Sequence, residues 1–310
     1  MNFPYMSLEM NISVSAIVVL YKPDLPVLDR LLKSISDQVD FVYIVDNTPG
    51  ADIGSYPEQF PGQAWSYHSL GDNLGIARAH NVGINLAREA GSSHVLLMDQ
   101  DSELAPGTVS TLLAEEQKLL ASGEKVGAIG PVFVDEKTGE AAPAITPSRS
   151  GGKRTPIDLS SQAPVATSYI IASGSLISTA VLATVGGMKD ELFIDWVDIE
   201  WGERAAALGY RSYLTPLVTM RHSIGDEYVS FFGRKINLHT DFRNYFIVRN
   251  ATYLAIWGGG SMSSRLQLAR KVPMYIVYYS LCSKRKLYSI KLLCCALYDG
   301  VIKKMFKGRF

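Results

Sequence analysis

Strand, helix, strand, helix, strand is the order spelled by the first hundred residues, and few folds accept it. "SVSAIVVLY" (13–21) is a β-branched apolar run, "FVYIVDNT" (41–48) a second and "HVLLMDQDSE" (94–103) a third. Between them Leu28, Leu31, Leu32, Ile35 and Val39 recur at helical spacing, as do Ile76, Ala79, Gly83, Leu86 and Ala90, with Gly91 placed to cap the second helix. Such apolar strands alternating with helices predict a parallel sheet covered on both faces. In open sheets of this kind ligands sit beyond the carboxyl ends of the strands. Asp46 and Asp99 stand at two such ends. A charge beside an apolar strand costs free energy unless it is paired or holds a cation, so these carboxylates either reach solvent or hold something.

The turn after the first strand, "YKPDLP", has no glycine, and no Walker-type glycine loop with lysine follows any strand. Both dinucleotide-dependent hydride transfer and P-loop phosphoryl transfer are therefore disfavoured. At 310 residues and 47% hydrophobic, the chain suits one large domain or a main domain with an appendage. Its three cysteines (Cys282, Cys294, Cys295) all lie late, which argues against a disulfide framework and suits a reducing compartment. The start, "MNFPYMSLEMNIS", has neither a basic n-region nor a long apolar run, so no secretory signal is expected.

Further on, "VGAIGPVF" (126–133) reads as a strand, and residues 135–165, rich in Pro, Gly, Ser and Thr, as a long mobile loop. "VATSYIIASGSLIS" (165–178) reads as one strand passing through a close-approach glycine, Gly174. "STAVLATVGG" is a short helix, and "ELFIDWVDIEWGERAAALGYR" is a second acidic cluster leading into a helix capped near Gly209. "YLTPLVTMRH" is a last strand, ending in His222. In an extended segment residues i and i+2 point the same way, so Asp99 and Asp101 converge while Gln100 points away. Two carboxylates and an imidazole at His222 would suit Mn²⁺ or Mg²⁺ bridging a diphosphate. An isolated Asp-x-Asp is equally a turn with solvated acids.

The net charge of zero hides an asymmetry. From Ser261 to Phe310, eleven Lys and Arg face one acid, Asp299, a balance of +10, so residues 1–260 carry −10. Neither "VPMYIVYYSLC" nor "IKLLCCALYDGVIKKMF" approaches the roughly 20 apolar residues needed to span a bilayer. Basic residues interleaved with aromatic and aliphatic ones suit a helix lying on an anionic membrane surface. The alternative is a helical hairpin packed on the main domain with its lysines solvated.

The ordered set "AIVVLYKP", "IVDNT", "DNLGIARAHNVGI", "LLMDQDSE", "FIDWVDIEWGERA" and "RH" resembles the family 2 inverting glycosyltransferases. "DQD" and "FIDWVDIEW", with "RNYFIVRN" downstream, most resemble the bacterial rhamnosyltransferase branch that builds surface polysaccharides such as lipopolysaccharide O-antigen. The resemblance implies an α/β GT-A (nucleotide-diphospho-sugar transferase) fold with a mostly parallel central sheet flanked by helices. That domain would span 13–255, between an N-terminal tail (1–12) and a basic amphipathic helical region (256–310). It further implies Asp46 on the nucleotide base, Asp99 on the ribose or on a metal through water, and Asp101 and His222 as metal ligands. Asp198 would be the catalytic base. Asn47, Asn73, Gly75, Arg78, Arg243 and Arg249 fall to the donor, and Gly174, Asp195 and Trp196 to the acceptor. The family's usual Glu-Asp pair reads Val197-Asp198 here, so Asp195 would take over part of the missing acid's role.

Several of these residues have a plainer reading. Glu200 and Arg204 are a surface i,i+4 pair, Trp196 and Trp201 core, Arg78 solvated, Arg243 and Arg249 a helix-surface pair, and His80 helix surface or packing. The implied activity is transfer of L-rhamnose from dTDP-L-rhamnose to a saccharide or lipid-linked saccharide, with a divalent metal. The implied location is cytoplasmic, peripheral on the inner face of the membrane. Nucleic acid is not an expected partner, and the oligomeric state stays open. The alternatives are a family 2 transferase for another nucleotide sugar, or a catalytically idle sugar-nucleotide-binding protein.

Overall fold

A computed structural model describes residues 12–50, 63–135, 139–148, 151–222, 228–231, 234–237 and 240–310. β1 (Val14–Leu20) is buried along its whole length. α1 (Leu25–Ile35) is started by Asp24, whose carboxylate accepts the Val27 N–H at 3.2 Å, and it buries Leu28, Leu31, Leu32 and Ile35. β2 (Phe41–Asp46), β3 (Trp65–Ser69), α2 (Ile76–Glu89) and β4 (His94–Asp99) follow. α2 gives way to Gly91 in left-handed backbone (φ 84°), as its sequence predicts. Its buried face is Ala77, Ala79, His80, Gly83, Ile84 and Ala87, which leaves Ala90 exposed. A Cβ on Gly83 would stand 2.4 Å from Ile17 Cγ2, so glycine lets α2 lie directly on β1.

Two elements escape the apolar pattern. β3 is a half-buried edge strand, "WSYHS", too polar to stand out. α3 (Thr108–Ala121) puts Glu115 and Glu116 at buried positions, where Glu116 meets His94 Nε2 at 2.9 Å and Glu115 pairs with Lys118. Buried glutamates interrupt the apolar period from which a helix is read.

β5 (Val126–Asp135) is the strand expected there. The stretch expected to be one long loop instead contains a hairpin of β6 (Ala144–Ser148) and β7 (Gly151–Thr155). The single strand expected over 165–178 is two, β8 (Val165–Thr167) and β9 (Ser175–Ser178): the extended run stops at Thr167 and resumes only after Gly174, whose φ is positive (75°). α4 (Thr179–Val185), α5 (Val197–Ala207) and β10 (Arg211–His222) follow. β11 (Tyr228–Phe231) pairs with β12 (Arg234–Asn237) in a second hairpin.

Eight strands form the central sheet in the order β3-β2-β1-β4-β9-β5-β10-β8. The pairs β3–β2, β2–β1, β1–β4 and β5–β10 are parallel, while β9 and β8 run antiparallel to their neighbours. The mostly parallel sheet is therefore as expected. Chain order leaves β1 toward β2 on one side and toward β4 on the other, which opens a crevice beyond their carboxyl ends. Register pairs Leu20 with Asp46 and Val19 with Asp99, so the two acids share one edge.

Three helices complete the chain: α6 (Asp241–Trp257), α7 (Met262–Cys282) and α8 (Lys286–Val301). α6 is buried from Asn244 to Thr252 and crosses the boundary expected at 255/256. Beyond α8 the chain folds back. Arg309 reaches both carboxylate oxygens of buried Asp299, which also accepts the Tyr245 hydroxyl at 2.7 Å. The Phe310 ring meets Phe242 and Tyr245 edge-on. The basic extension is thus joined to the sheet domain through α6. Among the described residues, no helix is long and apolar enough to cross a membrane.

Candidate active site

Two acidic segments meet at the carboxyl edge of the sheet. The first is the end of β4. Asp99 is its last residue, half-buried, and its backbone N–H donates to Ser173 Oγ at 3.1 Å. The strand stops there. Ser102 N–H bonds Asp99 O at 3.2 Å, so Gln100 and Asp101 lie in a turn and strand alternation does not govern Asp101, contrary to expectation. Gln100 does point elsewhere: its side chain accepts from Tyr21 N–H at 2.7 Å and donates to Tyr21 O at 3.1 Å, locking the end of β4 to the end of β1. Asp101 is exposed.

The second segment is Phe193–Asp198. Phe193, Asp195 and Trp196 all adopt left-handed backbone (φ 65°, 62° and 67°), and α5 begins directly after them. Asp198 sits in its first turn and accepts the Ala172 N–H at 3.3 Å. Ile170, Ile177, Met188 and Trp201 line the space behind its carboxylate. That burial raises its pKa to about 7; the Asp99 carboxylate and, less strongly, Asp195 add to the rise, while the Ala172 N–H opposes it. Asp99 and Asp198 therefore share one electrostatic site. The adjacent residues Ala172 and Ser173 join them, each bonding to one. Neither was singled out from the sequence; the only signal was the small-residue run "ASGS" before a strand.

Around this centre many expected contacts turn inward. Asp46, expected on the nucleotide base, is fully buried, with its oxygens engaged by Thr48 N–H and Tyr67 Oη at 2.8 Å each. It shapes that edge of the sheet from inside, its carboxylate turned away from the crevice. Asn47 and Asn73 bond each other at 2.9 Å and hold the Leu74 and Gly75 N–H groups, so they brace the "DNLG" turn. Gly75 (φ 89°) packs on Phe193, where a Cβ would fall 2.6 Å from that residue's carbonyl oxygen. It links the "DNLG" turn to the second acidic segment. Arg78, expected on the diphosphate or solvated, pairs with Asp190 at 2.8 Å. Gly174 does permit a close approach, but to Pro131 and Met220 inside the protein.

The two arginines expected on phosphate are also engaged. Arg243 pairs with Asp195 at 2.6 Å. Arg249 is fully buried among backbone carbonyls and the Asn250 side chain, and so cannot reach a bound diphosphate. Trp196 remains half-buried, its indole N–H given to Ile247 O at 3.0 Å. Trp201 is core. Glu200 and Arg204 pair at 2.9 Å as read, but Glu200 is buried and Arg204 also holds the carbonyls of Val185 and Gly187, so the pair ties α5 to α4. His80 is packing: it is 1% exposed, and burial lowers its pKa to about 4.

Asp99 and Asp101 are hard oxygen donors of the kind that hold Mn²⁺ or Mg²⁺ against a diphosphate. His222 ends β10 on the same side of the sheet as Asp135, but its side chain lies outside the described residues. Among those residues no group of three or more His, Cys, Asp or Glu converges as a metal cage. Two carboxylates completed by substrate phosphates is an arrangement typical of Mg²⁺.

No protein-family model matches the sequence. A curated protein does: the dTDP-rhamnosyl transferase RfbF of Shigella flexneri is 32% identical over 245 residues, covering 79% of this chain and 80% of that protein. Among solved structures, S. aureus TarS 1–349 in complex with UDP-GlcNAc aligns with TM-score 0.58 at 14% identity over 94% of this chain and 82% of that one. GalNAc-T7 with UDP, GalNAc and Mn²⁺ aligns with TM-score 0.55 at 13% identity over 90% of this chain; the chain spans 59% of its length. Both structures are glycosyltransferases of GT-A fold, and at such identity they speak to fold alone. Taken with the extent of the match to RfbF, the shared sheet and the acidic segments at its edge place this chain in the rhamnosyltransferase branch of the family 2 glycosyltransferases.

Proposed function

We propose that the protein transfers L-rhamnose from dTDP-L-rhamnose, with inversion, to a saccharide carried on a lipid in the synthesis of a bacterial surface polysaccharide. The match to RfbF along four-fifths of its length supports the donor assignment. The position of Asp198 is the observation that supports the chemistry. An inverting transfer is a single displacement at the anomeric carbon. A carboxylate must take the proton from the acceptor hydroxyl as it attacks. Asp198, with a pKa raised to about 7, is well matched to that step. Asp99 and Asp101 would hold a divalent cation, which when bound stabilises the charge on the departing nucleoside diphosphate. Asp195 and the half-buried face of Trp196 lie beside the base and are assigned to the acceptor side.

The α7–α8 hairpin is assigned to the inner membrane surface. Met262, Leu266, Met274, Val277 and Leu281 are exposed and recur on one face of α7. The turn that follows presents Lys284 and Lys286 beside Leu287, which is 85% exposed. Exposed apolar residues with flanking cations suit an anionic lipid interface. A second copy of the chain would bring like charges together.

A panel of nucleotide sugars, each with Mn²⁺ or Mg²⁺, tests the donor. Ligand stabilisation grows with the logarithm of concentration over Kd, so dTDP-L-rhamnose should raise Tm most. A larger shift with another sugar nucleotide would replace rhamnose as the donor.

A further inference from the structure

The turn that carries Asp198 is expensive to hold. Phe193, Asp195 and Trp196 are left-handed, and none is glycine. Non-glycine residues in this region are strained and persist where their surroundings over-determine them. Here the surroundings are one face of α6. Asn250 is fully buried and its Nδ2 donates to the carbonyls of Leu192 (2.8 Å), Ile194 (2.8 Å) and Asp195 (3.1 Å). Its Oδ1 accepts from Arg249 Nε at 2.9 Å and Nη2 at 2.8 Å, which fixes the amide so that its N–H groups face the turn. Arg249 Nη2 also donates to Leu192 O at 2.9 Å, and Nη1 to Phe306 O in the C-terminal tail. Two further contacts lie at i and i+4 on the same face: Arg243 on Asp195, and Ile247 O on the Trp196 indole.

We propose that Asn250, oriented by Arg249, is a positioning residue for glycosyl transfer, holding the Leu192–Asp195 carbonyls so that α5 delivers the Asp198 carboxylate to the acceptor hydroxyl. The proposal rests on Asp198 as base. One residue, Val197, separates Asp198 from the Asp195–Trp196 pair, so a small rotation at either swings its carboxylate off the Ala172 N–H. Displacement of a catalytic group by about 1 Å can cost on the order of 10² in rate.

The test uses the full-length protein and two variants. Asn250→Asp is isosteric and keeps the acceptor for Arg249 but loses every N–H facing the turn. Asn250→Ser keeps a single shorter donor and adds no charge, so it serves where the first folds poorly. In either folded variant kcat should fall by about 10- to 100-fold, while donor KM and the donor-induced Tm shift stay at wild-type values. Thr252→Ala, buried on the same helix and bonded only to Val248 O, should lower Tm without this loss of kcat. Wild-type kcat in a folded Asn250 variant, or an equal loss in Thr252→Ala, overturns the proposal. Asp198→Asn is assayed alongside. If it turns over normally, the base is elsewhere and both readings fall; if it is inactive while the Asn250 variants are not, only this one does.

Discussion

The two acidic segments reach the same crevice by opposite routes. Asp99 and Asp101 follow a regular strand whose burial and register come from its own apolar residues. Their backbone is unstrained, with no positive φ from His94 to Ser102. Asp195 and Asp198 lie on and after a turn with three left-handed non-glycine residues, held from outside by α6 and, through Arg249, by the C-terminal tail. On the proposed roles, the difference follows from their tasks. A cation held by carboxylates and phosphates tolerates some adjustment of its ligands, whereas a base must meet one hydroxyl in one direction. A strand end suffices for the first, and the second requires a braced turn.

The largest effect should come from removing the base. Asp198→Asn keeps the shape but cannot accept a proton, and loss of a general base costs roughly 10² to 10⁴ in rate. Donor binding should survive, as read by thermal shift. Normal turnover would move the base elsewhere, with Asp195 the first candidate.

Deleting Lys303–Phe310 should break the second segment while sparing the first. It strips Arg309 from buried Asp299 and the Phe306 carbonyl from Arg249. Tm and kcat should both fall, measured by calorimetry and initial rates. An unchanged kcat would mean the tail only covers α6.

The strand-end half should answer to metal. Asp101→Ala should remove most of the Tm shift that Mn²⁺ or Mg²⁺ adds to donor binding, and His222→Ala should weaken it. If His222→Ala leaves metal dependence intact, acids and diphosphate alone hold the cation.

A pH series sharpens the coupling between the halves. Since Asp198 must be ionised to act, kcat/KM should rise as pH climbs through about 7. Stability runs the other way. Its folded pKa lies above the ordinary carboxylate value of 3.8, so the contribution is full below that value and is lost as pH rises through about 7. Added cation at Asp99 should offset the like-charge repulsion and move the rate midpoint lower. A midpoint indifferent to metal would uncouple the two segments.

The smallest effect on chemistry should come from the hairpin tip. Lys284→Glu with Lys286→Glu should cut sedimentation with anionic vesicles at low salt, since each cation near such a surface contributes on the order of 1 kcal/mol. Transfer to a water-soluble acceptor should be unchanged. Equal vesicle binding would leave the tail a purely structural layer.

Much of the sheet was legible because its strands are short apolar runs and its helices keep their period. The helix missed has a local cause: Glu115 and Glu116 sit in the buried face of α3. The split between β8 and β9 spans residues 168–174, a stretch outside the sheet that closes on the positive-φ residue Gly174. At the site, the acids were readable as strand and helix ends. Their partners were not, because Arg249, Asn47 and Asp46 look like ligand-binding residues in sequence and are engaged inside the protein.

The sequence by itself determined the alternation of elements, hence a parallel sheet, the edge where ligands sit, and acids in the order of a family 2 transferase. Those properties arise from residues close along the chain, where hydrophobic period and backbone propensity act. Only the tertiary structure decided which polar groups stay available. Asp195 and Arg243 lie 48 residues apart, and Arg249 and Phe306 57 apart, and no local pattern reports such pairs. It also decided the raised pKa of Asp198, since that depends on the apolar residues behind it and on Asp99, brought close by the packing of α5 against the sheet.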